Sequence, residues 1–434
     1  MKSLRFIFLA ATLSFAATPA HAADTLLRGA IVHTITGETL SPGDVLVRDG
    51  KIAAVGTSLP AAGAAVVDLK GRHLYPGLIA LNTVLGLEEI GGVRATQDTT
   101  EVGDYTPDVE SWIAVNPDSE LIPVARANGV TCFEAAPKGG IVSGQSGLCS
   151  VDGWTVEQRT VKRPLALHLT WPAMELDTTP KSAAKDKAKW KSLDEQAKER
   201  REKLQGIEDF FTEAKHYANA REKGGAAAPA LVPAWEAMRP FVSGKLPVVV
   251  HAVEIRQIRA AVHWASTNHL QMILAGARDA WMCPDLLASN NIPVLFEYTF
   301  TQPSCETESY DVYFHAPEIL RQAGVKVAFC TGSDSFNASL IRNLPYAASQ
   351  SVAFGLPHDE GLKGITLYPA QIAGVAGRLG SIEPGKDATL FAADGDILDL
   401  RSNVKRMWID GREVSLESRH TRLYDKYKNR PQAP

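Results

Sequence analysis

Three polar side chains stand where apolar, strand-like runs end. His251 closes Leu246-Pro247-Val248-Val249-Val250-His251. Glu297 follows Ile292-Pro293-Val294-Leu295-Phe296. Asp334 sits in Gly332-Ser333-Asp334-Ser335, just beyond Val325-Lys326-Val327-Ala328-Phe329. An imidazole and two carboxylates are the groups that exchange protons with a bound water or ligate a divalent cation. Each also has an ordinary structural reading. A lone histidine is usually a satisfied hydrogen-bonding group, and a loop acid is usually met by loop amides. Asp334 is the strongest candidate, because a carboxylate at a Gly-Ser-Asp-Ser strand end needs partners. Glu297 at the end of its run should point near the mouth of a site.

Two loops could add to these groups. Glu88 to Glu101 carries Glu88, Glu89, Arg94, Asp98 and Glu101. Solvated surface is the common fate of such a stretch, but its acids are available as ligands and Arg94 could steady a developing oxyanion. Gly139-Gly140-Ile141-Val142-Ser143-Gly144-Gln145-Ser146-Gly147 could present backbone N–H groups to an anion, although a flexible surface turn is the more ordinary reading. His168, His263, His269, His315 and His358 have no partner at ligand spacing and read as surface or packing residues.

The elements that must position these residues are of two kinds. Ile31–Ile35, Asp44–Arg48 and Lys51–Val55 are β-rich, and Asp49-Gly50 between the last two is a hairpin turn. The same style returns in Ala388–Ala392 and Arg406–Ile409, followed by Asp410-Gly411. Two half-sheets at opposite ends of a chain have poor cores alone, so they should pair into one small β-sandwich. Between them strands and helices alternate. Helices are expected over Glu254–Asn268, Asp279–Asn290, Pro317–Ala323, about 342–354 and 367–375, with a short one over Pro123–Asn128. Repeating βα units with apolar strands mean a parallel sheet covered by helices, and their number favours a closed (β/α)8 TIM-like barrel. The expected fold is therefore α/β, with residues 78–377 as barrel and a composite β-sandwich of 23–77 with 378–416. A charged, solvated helical insertion is expected at about 181–223, and a tail at 417–434.

Composition limits the partners. The chain has 434 residues, 45% hydrophobic and 22% charged, with formal net charge −4. Nucleic acid is a poor partner for that balance, and a small-molecule substrate or ligand fits better. The start resembles a signal peptide: Lys2 and Arg5, an apolar run from Phe6 to Ala17 too short for a membrane span, then Ala20-His21-Ala22. Cleavage after Ala22 would give a periplasmic or secreted protein of net charge −6 with no span. The five cysteines, Cys132, Cys149, Cys283, Cys305 and Cys330, contain no Cys-X-X-Cys pair, and an odd count leaves at least one thiol free.

Several separated segments resemble the amidohydrolase superfamily in its imidazolonepropionase-like branch. They are Pro76-Gly77-Leu78-Ile79, the Val250-His251-Ala252 and Gly332-Ser333-Asp334-Ser335 strand ends, and Arg378-Leu379-Gly380-Ser381-Ile382-Glu383-Pro384-Gly385-Lys386-Asp387-Ala388. Trp408-Ile409-Asp410-Gly411-Arg412 resembles the family's final hairpin. The resemblance implies a metal-assisted hydrolase of amide or other C–N bonds, often cyclic. A divalent ion such as zinc would activate water, and an aspartate would accept its proton. His251 matches the metal-binding histidine ending the fifth strand, and Asp334 the aspartate ending the eighth. The family's ligands are otherwise largely missing. Its Asp and His-X-His positions are Ala80, Asn82 and Val84, and Ala275-Gly276 stand where the sixth-strand histidine would be.

Two functions follow. One is an exported hydrolase in which Asp334 acts as general base beside His251, with Asn82, Arg94 and Glu297 as binding groups and an incomplete metal set of His251 and Asp334. The other is a non-catalytic periplasmic binding protein on the same barrel.

Overall fold

The computed structural model describes residues 24–225, 228–334, 336–428 and 430–431. The leader expected over residues 1–22 lies outside the described residues. The N-terminal segment forms β1 (Thr25–Val32), β2 (Leu40–Arg48), β3 (Lys51–Gly56), β4 (Ala65–Asp68) and β5 (His73–Pro76). The centre holds β6 (Leu78–Thr83), β7 (Val130–Ala135), β8 (Val142–Gln145), β9 (Gly147–Ser150), β10 (Thr160–Lys162), β11 (Leu167–Thr170), β12 (Val248–Ala252), β13 (Met272–Gly276), β14 (Val294–Phe296) and β15 (Val327–Phe329). The C-terminal segment adds β16 (Leu390–Ala393), β17 (Val404–Ile409) and β18 (Arg412–Val414).

The two ends of the chain do meet, and they meet edge to edge. β16 pairs antiparallel with β5, Leu390 opposite Pro76, and so joins both segments in one eight-stranded sheet. The two expected hairpins are present. Asp49 and Gly50 have φ of 49° and 75°, and Asp410 and Gly411 have 47° and 74°. Positive φ at both central residues gives the turn whose twist suits antiparallel neighbours. Leu27, Val45, Ile52, Leu390 and Trp408 share a buried cluster on this sheet.

The centre is two sheets. β11, β12, β13, β14 and β15 run parallel in sequence order, with β8 antiparallel on β11. β6 pairs parallel with β7, which continues through antiparallel β9 to β10. The parallel register brings the C-terminal ends of β12 to β15 together, with His251 opposite Ala275 and Phe296 opposite Phe329. The helix Ile255–Thr267 starts on a capping box between Glu254 and Gln257, which satisfies N–H groups that have no partner inside the helix. Pro76-Gly77 turns the chain from β5 into β6. A Cβ on Gly77 would lie 2.0 Å from Thr131 Oγ1, so only glycine lets β6 approach β7 there.

Some expectations change. Pro317 lies inside the helix Val312–Gln322 rather than at its first turn, and the helix expected over Asp279–Asn290 is a 3-10 turn, Ala280–Met282, followed by Pro284–Ser289. The helix Leu193–Lys223 is not solvated all round. Ile207, Phe211, Ala214 and Tyr217 recur at helical spacing and are buried, with Phe211 edge-on to Trp264 at 4.8 Å. Only the start of the glycine-rich stretch, Gly139 to Ile141, reaches the surface as a turn. The rest forms β8 and opens β9, both wholly buried, and Gly144 and Gly147 admit Val109 and Trp112 where a Cβ would stand 2.8 Å away. No helix among the described residues is long and apolar enough to cross a membrane.

Candidate active site

A cavity of ≈ 240 Å³ opens beyond the C-terminal ends of β12 to β15, lined among others by Lys138, His251, Glu297, Tyr298, Ser333 and Asp334. A larger one of ≈ 670 Å³ lies at the opposite, N-terminal ends of the same strands and carries no histidine or acid. The smaller cavity is the candidate site, because the groups able to move protons are there.

Glu297 follows β14 and points inward. Its Oε1 accepts a hydrogen bond from Asn82 Nδ2 at 2.6 Å. Oε2 lies against Gly332, where a Cβ would stand 2.5 Å from it. Burial, and then the nearby Asp334 carboxylate, push the Glu297 carboxyl up to about 7. Such a group is near half-protonated at neutral pH, which suits a general base that must later act as an acid. Asn82 is buried in β6 with φ of 52°, an uncommon conformation for a non-glycine residue, and its Oδ1 has no hydrogen-bond partner.

Behind the cavity lies a network that sequence reasoning missed. Glu134 in β7 is wholly buried. Its Oε2 accepts the Asn82 backbone N–H at 2.8 Å, and its Oε1 accepts from Ser146 Oγ at 2.6 Å and from His168 Nε2 at 3.1 Å. His168 in β11, also wholly buried, has its Nδ1 3.0 Å from His251 Nε2. Burial alone would raise Glu134, but the His168, Ser146 and Asn82 donors outweigh it and hold the carboxyl below its usual range. Burial, with His168 next to it, lowers His251 to about 3, so its ring is neutral at physiological pH. His168 is therefore no packing residue. Its mark in the sequence is its place inside Ala166-Leu167-His168-Leu169, where a polar ring on an apolar strand must find a partner, as must Glu134 after Thr131-Cys132-Phe133.

The other expected residues scatter. Asp334 lines the cavity with 85% of its side chain exposed, and Lys138 Nζ meets its Oδ1 at 3.1 Å. Lys138, unmarked in the sequence, is the cation of the cavity. Arg94 is not among the residues that line it. Its guanidinium donates to the Gln97 carbonyl at 3.0 Å on the exposed side of the Glu88–Glu101 loop. Two of the loop acids serve structure: Glu88 accepts from the Phe336 N–H, and Glu89 from Ser119 and the Glu120 N–H.

A metal held in the family's manner needs about three protein ligands besides water. Val84 is buried in the apolar core, Asn82 can offer only its amide oxygen because its nitrogen is committed to Glu297, and β13 ends on Ala275-Gly276. His251 has one ring nitrogen, Nδ1, beyond the Nε2 that meets His168, and the Asp334 carboxylate is paired with Lys138. Among the described residues, no group of three or more His, Cys, Asp or Glu side chains gathers to hold an ion. The residues present do not fit the family's metal.

Residues 161–414 match the amidohydrolase family, and the chain belongs to it. It is similar to an amidohydrolase, tasK, of Hapsidospora irregularis, 24% identical over 405 residues. That match covers 85% of this chain but only 39% of the fungal protein. An imidazolonepropionase of Mesorhizobium japonicum is 25% identical over 385 residues, covering 81% of this chain and 86% of its own. Among solved structures, an amidohydrolase from Thermotoga maritima superposes with a TM-score of 0.78 at 28% identity, covering 90% of this chain and 99% of that one. A zinc-bound adenosine deaminase from Xanthomonas campestris shares the fold alone, at 16% identity and a TM-score of 0.53.

Proposed function

We propose that the protein hydrolyses C–N bonds of small non-peptide or cyclic amides by general acid–base chemistry in the cavity beyond β12 to β15. The observation that carries this reading is Glu297, poised at about 7 and held by Asn82 inside that cavity. Family membership and the similarity to an imidazolonepropionase support the reaction class. A water between Glu297 and the substrate carbonyl gives one proton to Glu297 as its oxygen bonds to carbon. The Lys138 ammonium faces the developing oxyanion. As the C–N bond breaks, Glu297 returns the proton to the leaving nitrogen. Asp334 holds Lys138 and raises Glu297, and so acts through both rather than as the base itself.

The parallel run β11–β15, the approach of β15 to β6 and the Thermotoga likeness support one (β/α)8 barrel built from both central sheets. Lys2, Arg5, the apolar run and Ala20-His21-Ala22 support export with cleavage after Ala22. The intact mass of the protein recovered from the periplasm or medium tests that.

The functional test is a screen of small cyclic amides and N-acyl compounds with the full mature chain and Glu297→Gln. Hydrolysis that falls by on the order of 10² or more in the variant is expected. No turnover, together with ligand-induced thermal shifts that survive in Glu297→Gln, would replace the hydrolase with the binding protein.

A further inference from the structure

One buried carboxylate touches the supports of both groups that face the cavity. Glu134 Oε2 accepts from the Asn82 backbone, whose side chain donates to Glu297. Glu134 Oε1 accepts from His168 Nε2, whose other ring nitrogen meets His251. We propose that Glu134 is the positioning residue of the site, fixing Glu297 through Asn82 and the tautomer of His251 through His168.

An ionised carboxylate only accepts, so His168 carries its proton on Nε2. In its neutral form His168 then has an acceptor at Nδ1, and His251 must donate from Nε2. His251 Nδ1 is then a bare lone pair, on a ring that lines the cavity. A neutral imidazole of this tautomer accepts one hydrogen of the attacking water while Glu297 takes the other. On the second arm, the Asn82 backbone sits at φ of 52°, and the Glu134 bond to its N–H helps hold that conformation. The Asn82 amide is thereby aimed at Glu297. Neither Glu134 nor His168 touches substrate. The catalytic use of the device rests on the hydrolase reading, but its geometry does not.

Glu134→Gln tests it with little change of shape. A glutamine offers one acceptor oxygen where two are used, so its NH₂ must face either His168 Nε2–H or the Asn82 N–H. Two measurements on the full chain read the two arms. Nitrogen-15 NMR of histidine-labelled protein, assigned with His251→Gln, reads the His251 tautomer. Carbon-13 titration of the Glu297 carboxyl reads the other arm. The wild type is expected to show His251 protonated on Nε2. In Glu134→Gln, either His251 shifts toward the Nδ1–H form, or the Glu297 midpoint rises as the Asn82 bond weakens. A variant in which both readouts stay put overturns the proposal. So does a wild-type His251 protonated on Nδ1, a result that holds even if the variant does not fold. With a substrate in hand, kcat should fall by on the order of 10²-fold with little change in KM. The expected tautomer in a protein that turns over nothing would sink the hydrolase reading and leave the positioning device standing.

Discussion

Replacing Glu297 by glutamine should change how stability depends on pH. In the folded chain the Glu297 carboxyl titrates at about 7, against an ordinary 4.5. Below pH 4.5 both folded and unfolded chains hold the proton. Between 4.5 and 7 the unfolded chain gives it up and the folded chain keeps it, so stability falls as pH rises, and the loss is complete above 7. A shift of this size corresponds to about 3 kcal/mol, at about 1.4 kcal/mol per pH unit. The side chain introduced by Glu297→Gln does not titrate. Its amide oxygen can still accept from Asn82. Urea unfolding of both proteins at pH 4.5, 5.5, 6.5 and 8 reads the effect, because groups that do not interact with Glu297 cancel in the difference. The wild type should lose about 3 kcal/mol relative to Glu297→Gln across that range. A difference flat to within about 0.5 kcal/mol would refute the inward, desolvated carboxylate on which the mechanism depends.

Asp334→Ala removes the carboxylate that helps raise Glu297, so the Glu297 midpoint should move below about 7, read by carboxyl titration or by the acid limb of a pH–rate profile. Gly332→Ala places a methyl 2.5 Å from Glu297 Oε2 at a position with φ of 81°, and should cost on the order of 1–3 kcal/mol in urea unfolding while disturbing the site. Dialysis against a chelator should leave hydrolysis unchanged, and a loss restored by zinc would overturn the donor-set argument. Of the five cysteines only Cys305 is exposed. A thiol reagent should therefore react quickly with one thiol in the native protein and with all five after unfolding.

The resemblance drawn from Pro76-Gly77-Leu78-Ile79 and the Arg378–Ala388 segment pointed to the right family, and the Asp-Gly hairpins were readable to the residue. Both depend on local chemistry. Asp-Gly pairs tolerate the positive φ that such turns need, and apolar runs of strand length must be buried. Boundaries around Pro317 and Cys283 were less readable, because tertiary packing carried a helix through one proline and broke another at a short 3-10 turn.

The site divided along the same line. The position of His251, Glu297 and Asp334 at strand ends was legible, since a polar residue that stops an apolar run marks where a strand emerges. That Asp334 would be exposed and tied to Lys138, that Arg94 would turn away, and that Glu297 would be the desolvated acid were not. These depend on residues 196 or more positions apart in the cases of Lys138 with Asp334 and Asn82 with Glu297. Glu134, Ser146, His168 and His251 are brought together by strand pairing whose order no local pattern encodes. By itself the sequence determined most of the strands outside residues 142–170, the family, and which ligand positions had changed to Asn82 and Val84. Only the tertiary structure decided what those changes produced. The protonation of a buried acid or imidazole is set by the few donors and charges packed against it, and those are supplied from across the chain.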